Sequence, residues 1–543
     1  MFQISLRAST SLESVWIPEM YSSPSQAPQT ASPTDNSAPV KQDSAVEVSR
    51  GASYLTIQLL ITSAAQALTF AILARIITPS EIGILAVLSL VTALSAAING
   101  TAFQQASSKF IGELATRGKK IPLGVFYQAF RISMMLAVPL AVFIFLGAPF
   151  LASELLGQVA QAQLFRILAV DVLVYSGALP VAIGALLGFK RFKAAATIGS
   201  AGSILRQCLI ILLILALSNF VGLVIAWVVS DFALVAAYTL YILRSIGVPK
   251  VGFSSRRMLS YSWPLTIGNV VNFGYTSFDR AILVVFVPLA SLGVYYAAIT
   301  AFGVLLSISG AMNNALLPTF SDIGGRGDLE SCRRATWLVS RYVSLTMIPL
   351  GFGLLATAKP AITLFVGQAY VEGVGPLMVL CGVFALTALG SSLGPMLLAL
   401  SHTRSVMLIT AASVLAGLAS AYVLLPILGI LGASIARGFA LVGSTVLTIV
   451  VLRRRKAVRI DFEAAWKSGL AGGVMVGVLV LTQMVIYSKF LLPAYVLLGT
   501  FIYLIALRQL KAIREDDLNL IRRYLGPKFG FAATVLNAIL APK

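Results

Sequence analysis

The sequence is nearly empty of histidine and cysteine. One histidine, His402, cannot build a metal cluster, so no metal centre is expected and no cofactor is implied. The three cysteines, Cys208, Cys332 and Cys381, fall in expected helices or a cytoplasmic loop, which predicts no disulfides. Charge is scarce as well. Only 11% of the 543 residues are charged, against about 25% in an ordinary soluble domain. That excludes a water-soluble globular protein. Residues 1–50 hold no apolar run before a cleavage site, so no signal peptide is expected there.

Apolar residues fill the space left by charge. They make up 58% of the chain, and the mean hydropathy is +0.91. The composition predicts an all-α polytopic membrane protein. A spanning helix needs roughly 20 mostly apolar residues. Fourteen transmembrane candidates meet this: 53–77, 83–105, 123–147, 164–188, 196–217, 221–243, 263–287, 291–314, 337–357, 373–400, 405–424, 429–452, 468–487 and 490–507. Residues 1–50, rich in Ser, Pro, Thr and Gln, read as a disordered cytoplasmic tail. Residues 508–543 read as a basic amphipathic cytoplasmic tail suited to a membrane surface.

The formal net charge of +20 would suggest nucleic acid on a soluble protein. Here topology explains it. One alternate set of loops carries Lys109, Arg117, Lys119, Lys120, Lys190, Arg191, Lys193, Arg256, Arg257, Arg333, Arg334 and the run 453–459. The other set offers only Lys359 and Lys489. Cytoplasmic loops are basic, so both termini are expected in the cytoplasm, and no nucleic-acid partner is implied.

The chain also repeats itself at an offset of 210 residues. Gly83 then falls on Gly293, Phe110 on Phe320, Arg131 on Arg341, Pro139 on Pro349, and Gly157-Gln158 on Gly367-Gln368. Six helices per copy is an even number, so the copies are parallel repeats about an axis along the membrane normal. Secondary transporters are built this way, with the substrate site between the halves. The expected organisation is an N-lobe at 51–243, a cytoplasmic linker at 244–262, a C-lobe at 263–452, and two extra helices within 468–507.

Two stretches resemble a known family. "AILARIITPSEIGILAVLSL" (71–90) resembles the first-helix signature of polysaccharide (O-antigen, Wzx-type) flippases of the multidrug/oligosaccharidyl-lipid/polysaccharide exporter superfamily, through Arg75, Pro79, Glu81 and Gly83. "FDRAILVVFVPLASLGVYYAA" (278–298) resembles its seventh-helix signature, through Asp279, Arg280, Leu292, Gly293 and Tyr295. Val284 and Pro288 depart from the glycines many relatives carry nearby. The resemblance spans about residues 51–510. It implies a MATE/MOP-like fold in the cell membrane. It also implies a flippase moving a polyprenyl-(pyro)phosphate-linked oligosaccharide to the outer leaflet by alternating access. Membrane lipid and polysaccharide-assembly proteins are the further expected partners.

Such a substrate needs cations for its phosphate, and charges inside a membrane need a reason. Arg280 and Asp279 lie deep in helix 7, as a substrate contact with its orienter or as charges that lock the bundle. Successive helical residues point about 100° apart, so the two are not a ready-made pair. Arg206 and Asp231 lie equally far from the turn near 218–219, which predicts an ion pair, a cavity lining, or both. Arg131 and Arg341 either snorkel or form a symmetric cationic vestibule. Arg75 and Arg437 are placed to line an outward-facing cavity. Asp171 is a weaker candidate. Gln58, Gln66, Asn269 and Asn272 either bond sugar hydroxyls or join helices. Asp279 and Asp231 are the candidate H⁺ or Na⁺ coupling sites.

Rival functions stay open at this point. A multidrug or cation exporter should have a cavity dominated by acids. A lipid II flippase would share the chemistry of the first reading. A membrane glycosyltransferase or polymerase would need catalytic acids or a metal motif in a sizeable outer loop. The outer loops here are short and carry neither, so the expectation is a transporter and not an enzyme.

Overall fold

The computed structural model describes residues 39–116, 123–217, 220–246, 254–325, 328–514 and 517. The chain divides into two compact units at Ser49. Of the first unit only residues 39–49 are described, and they are helical, although the sequence placed them in the tail. The rest of both expected tails, 1–38 and 518–543, lies outside the described residues.

Among the described residues every regular element is a helix. In chain order they are α1 (Pro39–Ile76), α2 (Pro79–Leu114), α3 (Leu123–Leu146), α4 (Val159–Gly188), α5 (Phe192–Leu217), α6 (Val221–Ile246), α7 (Ser255–Phe286), α8 (Leu289–Gly325), α9 (Leu329–Ala356), α10 (Gln368–Ala399), α11 (Thr403–Arg454), α12 (Phe462–Val485) and α13 (Leu492–Gln509). Short helices, Ala148–Leu156 and Ala358–Phe365, follow α3 and α9. Residues 254–262, expected in the linker, lead into and form the first turns of α7.

Twelve of the described helices are long and apolar enough to cross a membrane, where the sequence reading counts fourteen. The difference lies in two places. α11 counts once, but its 52 residues contain a non-helical break at Gly429, with φ 54° and ψ −130°. A straight helix of that length would measure about 78 Å, more than twice the roughly 30 Å hydrocarbon core. Glycine enters this backbone region without a Cβ penalty, so the helix divides into two arms there. α7 is 32 residues long, but Asn269, Asn272, Thr276, Asp279 and Arg280 make it too polar to count among the twelve.

The repeat is visible in the helix ends. α1 ends at Ile76 and α7 at Phe286, and α2 begins at Pro79 and α8 at Leu289. α3 ends at Leu146 and α9 at Ala356, and the short helices begin at Ala148 and Ala358. Each pair is 210 residues apart. α2 and α8 meet at their N-terminal ends. There Gly83 lies on the backbone of Leu289, and Gly293 on the backbone of Pro79 and Gly83. A methyl group on either glycine would overlap the facing carbonyl oxygen. The contact is reciprocal, because 79 corresponds to 289 and 83 to 293. The same patch is used on both halves, as a twofold axis demands.

The first signature stretch shapes this end of the molecule. The Thr78 hydroxyl accepts from the Glu81 backbone N–H at 3.3 Å, and the Glu81 carboxylate accepts from the Thr78 N–H at 2.8 Å. With Pro79 at the first helical position, this capping box starts α2 on the residue that makes Gly83 face α8. Arg75 reaches across to the Leu364 carbonyl of the other half. At the far end of α2 the halves touch again. There Glu113 pairs with Arg257 of α7 at 3.2 Å, and Lys109 lies 4.1 Å from the Tyr261 ring centre. α12 and α13 stand outside the repeat and pack on α9 through Met475, Leu479, Tyr495 and Tyr503.

Candidate functional site

Between those two contacts lies a cavity of about 440 Å³ lined by both halves. α1 presents Ser63, Gln66 and Thr69, α2 presents Ser89 and Thr92, and α8 presents Tyr296, Thr300 and Ser307. Ser63 donates across the gap to Ser307 at 3.4 Å. The wall from the first half is aromatic and cationic: Tyr175 of α4, Arg206 of α5 and Trp227 of α6. A second cavity of about 900 Å³ adjoins the first, since Ala67, Phe70, Thr300 and Val304 line both. Its lining is almost wholly apolar. It runs past α8 and α9 to Met475 and Leu479 of α12 and Tyr495 and Tyr503 of α13.

Arg206 is the cation of the polar cavity. Its Nη1 donates to both carboxylate oxygens of Asp231, at 3.0 and 3.2 Å. α5 ends at Leu217 and α6 begins at Val221, so the two residues stand at about the same depth on either side of the turn. The guanidinium also lies 5.0 Å from the Trp227 ring centre and 5.8 Å from that of Tyr175. Its side chain keeps 21% exposure while Asp231 has none, so the pair is buried at its acid end and open to the cavity at its base.

Asp279 does not pair with Arg280. Its carboxylate sits 2.9 Å from Arg437 Nη1 and accepts from the Tyr295 hydroxyl at 2.6 Å. All three are buried. Arg437 also donates to the Thr276 carbonyl at 3.1 Å. This corrects the placement of Arg437 on an outward-facing cavity: an arginine buried at that depth is neutralised inside its own half. Among the described residues Arg280 has no carboxylate partner. It donates to Ser277 Oγ at 2.8 Å, lies 6.0 Å from the Tyr296 ring centre, and its buried Nε has no acceptor. Tyr296 lines the polar cavity and separates Arg280 from it.

The symmetric vestibule of Arg131 and Arg341 is not formed. Arg131 is exposed on α3. Arg341, only 2% exposed, donates to Asp461 at 3.1 Å, to both oxygens of Asp517, and to the Ala512 carbonyl at 2.8 Å. It is an anchor for the strap after α13. Burial works against ionisation of Asp517, but hydrogen bonds from Arg341, the Arg514 backbone and Tyr342 outweigh it. They hold the carboxyl below the usual carboxylate range. Arg75 bridges the halves at the rim rather than lining a cavity. Of the polar candidates, Gln66 lines the cavity, Gln58 packs against Gly199, Asn269 is partly buried and Asn272 is exposed.

Tyr175 and Trp227 were not singled out from sequence, and Tyr295 only as a signature residue, not as the partner of Asp279. A signal existed for each of the first two: Trp227 lies four residues before Asp231, and Tyr175 four after Asp171, one helical turn in both cases.

A family model described as polysaccharide biosynthesis protein matches residues 72–375. Among curated proteins, the succinoglycan biosynthesis transport protein ExoT of Rhizobium meliloti is 27% identical over 307 residues, covering 56% of this chain and 59% of that protein. The probable low-salt glycan biosynthesis flippase of Haloferax volcanii is 22% identical over 285 residues, covering 51% of this chain and 60% of that protein. The chain thus spans about three-fifths of the length of each of these relatives. Among solved structures, the lipid II flippase MurJ in an inward closed conformation superposes with a TM-score of 0.64 at 14% identity, over 88% of this chain and 99% of that one. An inward-facing multidrug resistance MATE transporter of the MOP superfamily superposes at 0.59 and 16%, over 78% and 98%. At such identities these structures speak for the fold alone.

Proposed function

The chain belongs to the polysaccharide biosynthesis protein family, and we propose that it is a flippase for a polyprenyl-(pyro)phosphate-linked oligosaccharide. It carries this lipid from the cytoplasmic to the outer leaflet of the cell membrane by alternating access, as a transporter without a catalytic step. In this reading it crosses the membrane fourteen times, with α7 and both arms of α11 included, and both termini are cytoplasmic. The two relatives named for succinoglycan transport and for glycan flipping support the substrate class.

One observation carries the proposal: a polar cavity with a cation adjoins a larger apolar one across shared lining residues. An amphiphile with an anionic, hydroxyl-rich head and a long hydrocarbon tail matches both at once. Arg206 and Arg280, one from each half, hold the phosphates. A guanidinium offers paired donors to a phosphate and stays charged when partly dehydrated. Gln66, Ser63 and Thr92 bond sugar hydroxyls, and Trp227 and Tyr296 supply flat faces. The tail lies between α9 and the α12–α13 pair. The membrane potential supplies about 2.3 kcal/mol per charge per 100 mV for an anion leaving the cytoplasm.

Export of an organic cation is the second reading, favoured by the buried carboxyl of Asp171 beside the same cavity wall. Reconstitution separates the two. Vesicles holding the full chain should expose a fluorescent lipid-pyrophosphate-linked oligosaccharide to a membrane-impermeant quencher faster than empty vesicles do. No acceleration, together with export of a lipophilic cation, would overturn the flippase reading.

A further inference from the structure

Asp171 on α4 is a buried acid that the Arg206–Asp231 pair leaves without a partner among the described residues. Both Asp171 and Asp231 are fully buried. α4 packs against α6, and Arg206, which holds Asp231, lies 5.8 Å from the ring centre of Tyr175, one turn beyond Asp171, so the two carboxyls share one buried neighbourhood. Yet among the described residues neither oxygen of Asp171 meets a donor. Arg206 is directed at Asp231. Two ionised carboxylates would therefore share one guanidinium and leave a negative charge buried with unsatisfied oxygens. Like charges in contact inside a protein do not both ionise. One hydrogen between the two carboxyls removes both problems: it supplies the missing donor and leaves the cluster neutral.

We propose that Asp171 and Asp231 form a one-proton site whose occupancy sets how strongly Arg206 holds an anion in the cavity. This rests on the anionic-substrate reading above. With the proton present, the cluster is neutral and Arg206 can turn its cavity-facing edge to a phosphate. With the proton gone, the wall carries a net negative charge behind Arg206, and an anionic head is repelled. Linkage makes the effect mutual, so a bound anion also tightens the proton. The groups facing Asp171 are Tyr175 from α4, Arg206 from α5 and Asp231 from α6. The neighbouring elements bring no competing charge. On α2, Glu81, Lys109 and Glu113 lie at the helix ends. Arg131 on α3, Glu154 on the short helix and Arg166 on α4 are exposed. Local backbone supports a specialised role. The α-helix of Asp171 gives way at Leu173–Ala178 to a π-helical turn that carries Tyr175, and such turns recur at functional sites.

Two measurements on the purified full chain in lipid nanodiscs test this. Infrared spectroscopy should show the carbonyl stretch of a buried protonated carboxyl at neutral pH, lost in Asp171→Asn. Binding of an isoprenoid sulfonate, whose head does not titrate near neutrality, should weaken as pH rises, by up to about tenfold per pH unit. In Asp171→Asn the amide donates to Asp231 permanently, so affinity should stay high and flat with pH. Asp231→Asn should also flatten the profile, and serves if Asp171→Asn fails to fold. An absent wild-type band, or a pH slope unchanged in both variants, overturns the proton site alone. A sulfonate that binds at no pH counts against the anionic substrate and overturns the linkage with it.

Discussion

Adding one methyl group at Gly83 or Gly293 should push the two halves apart. The Gly83→Ala side chain would overlap the Leu289 carbonyl oxygen, and the Gly293→Ala side chain that of Pro79. Both obstacles are helix backbone, which cannot rotate away as a flexible side chain can. Forcing an extra carbon into a tight contact costs about 1–3 kcal/mol. If the cost falls only on the conformation in which α2 and α8 touch, the equilibrium moves toward the separated one by roughly 5- to 150-fold. The reciprocal geometry makes two further demands. The single variants should shift the equilibrium by similar amounts, because each meets the other half's equivalent carbonyl. The double variant should shift it by less than their sum, because helices already parted by one methyl have room for the second. Spin labels on the exposed residues Ser80 and Glu372, in a background lacking the exposed Cys208, would report the separation at this end by pulsed electron resonance. Unchanged distance distributions in both single variants, or strictly additive shifts, would refute the reasoning. The first would mean the contact does not limit opening, and the second that the two glycines do not share one gap.

Three other outcomes follow from how the buried charges are paired. Arg280→Ala should nearly abolish flipping in the vesicle assay and Arg280→Lys weaken it. Both should leave the melting temperature almost unchanged, since Arg280 has no carboxylate to orphan; full activity of the alanine variant would refute a phosphate role. Arg206→Ala, which strips Asp231 of its partner, should destabilise the protein by about 3–5 kcal/mol. Arg206→Ala with Asp231→Ala should recover most of that stability without recovering transport, checked by thermal denaturation beside the flipping assay. Arg341→Met should release the strap after α13 to limited proteolysis at neutral pH. In the wild type the Asp517 carboxyl is held below its unfolded range, so its contribution is complete above about pH 4. That contribution is lost only as pH falls through the lowered folded value; protease sensitivity appearing at mildly acidic pH would contradict this.

Much of the architecture was legible because it rests on local pattern. Apolar run length and the 210-residue offset both act through single segments, and the helix ends at Ile76 and Phe286 or Pro79 and Leu289 keep that offset. The Arg206–Asp231 pair was legible for the same reason, since both residues sit on one hairpin and depth can be counted from its turn. Partners separated by long stretches were not. Arg341 looked free until Asp461 and Asp517 arrived from 120 and 176 residues away. Asp279 was read as not pairing with Arg280, but its actual partner, Arg437, reaches it from the broken helix α11, 158 residues away.

The same distinction separates the family signatures from the site. Pro79, Glu81 and Gly83 build the start of α2 and its contact with α8, Gly293 completes that contact, and Tyr295 holds Asp279. These residues position the halves; none of them lines the polar cavity. In the flippase reading the joint stays constant while the cargo changes, which suits signature residues tied to the joint; Arg280 is the signature residue that lies beside the cavity instead. Charge then identifies the binding residues by subtraction. Arg341 and Arg437 are each neutralised by carboxylates inside the protein, and Arg206 is neutralised while still open to the cavity. Arg280, on the opposite half and beside the cavity-lining Tyr296, meets a hydroxyl and a backbone carbonyl but no acid. A cation held at that depth without a counter-ion is stabilised when an anion arrives, so in the proposed reading Arg206 in the cavity wall and Arg280 behind Tyr296 are the pair that a migrating phosphate would bridge.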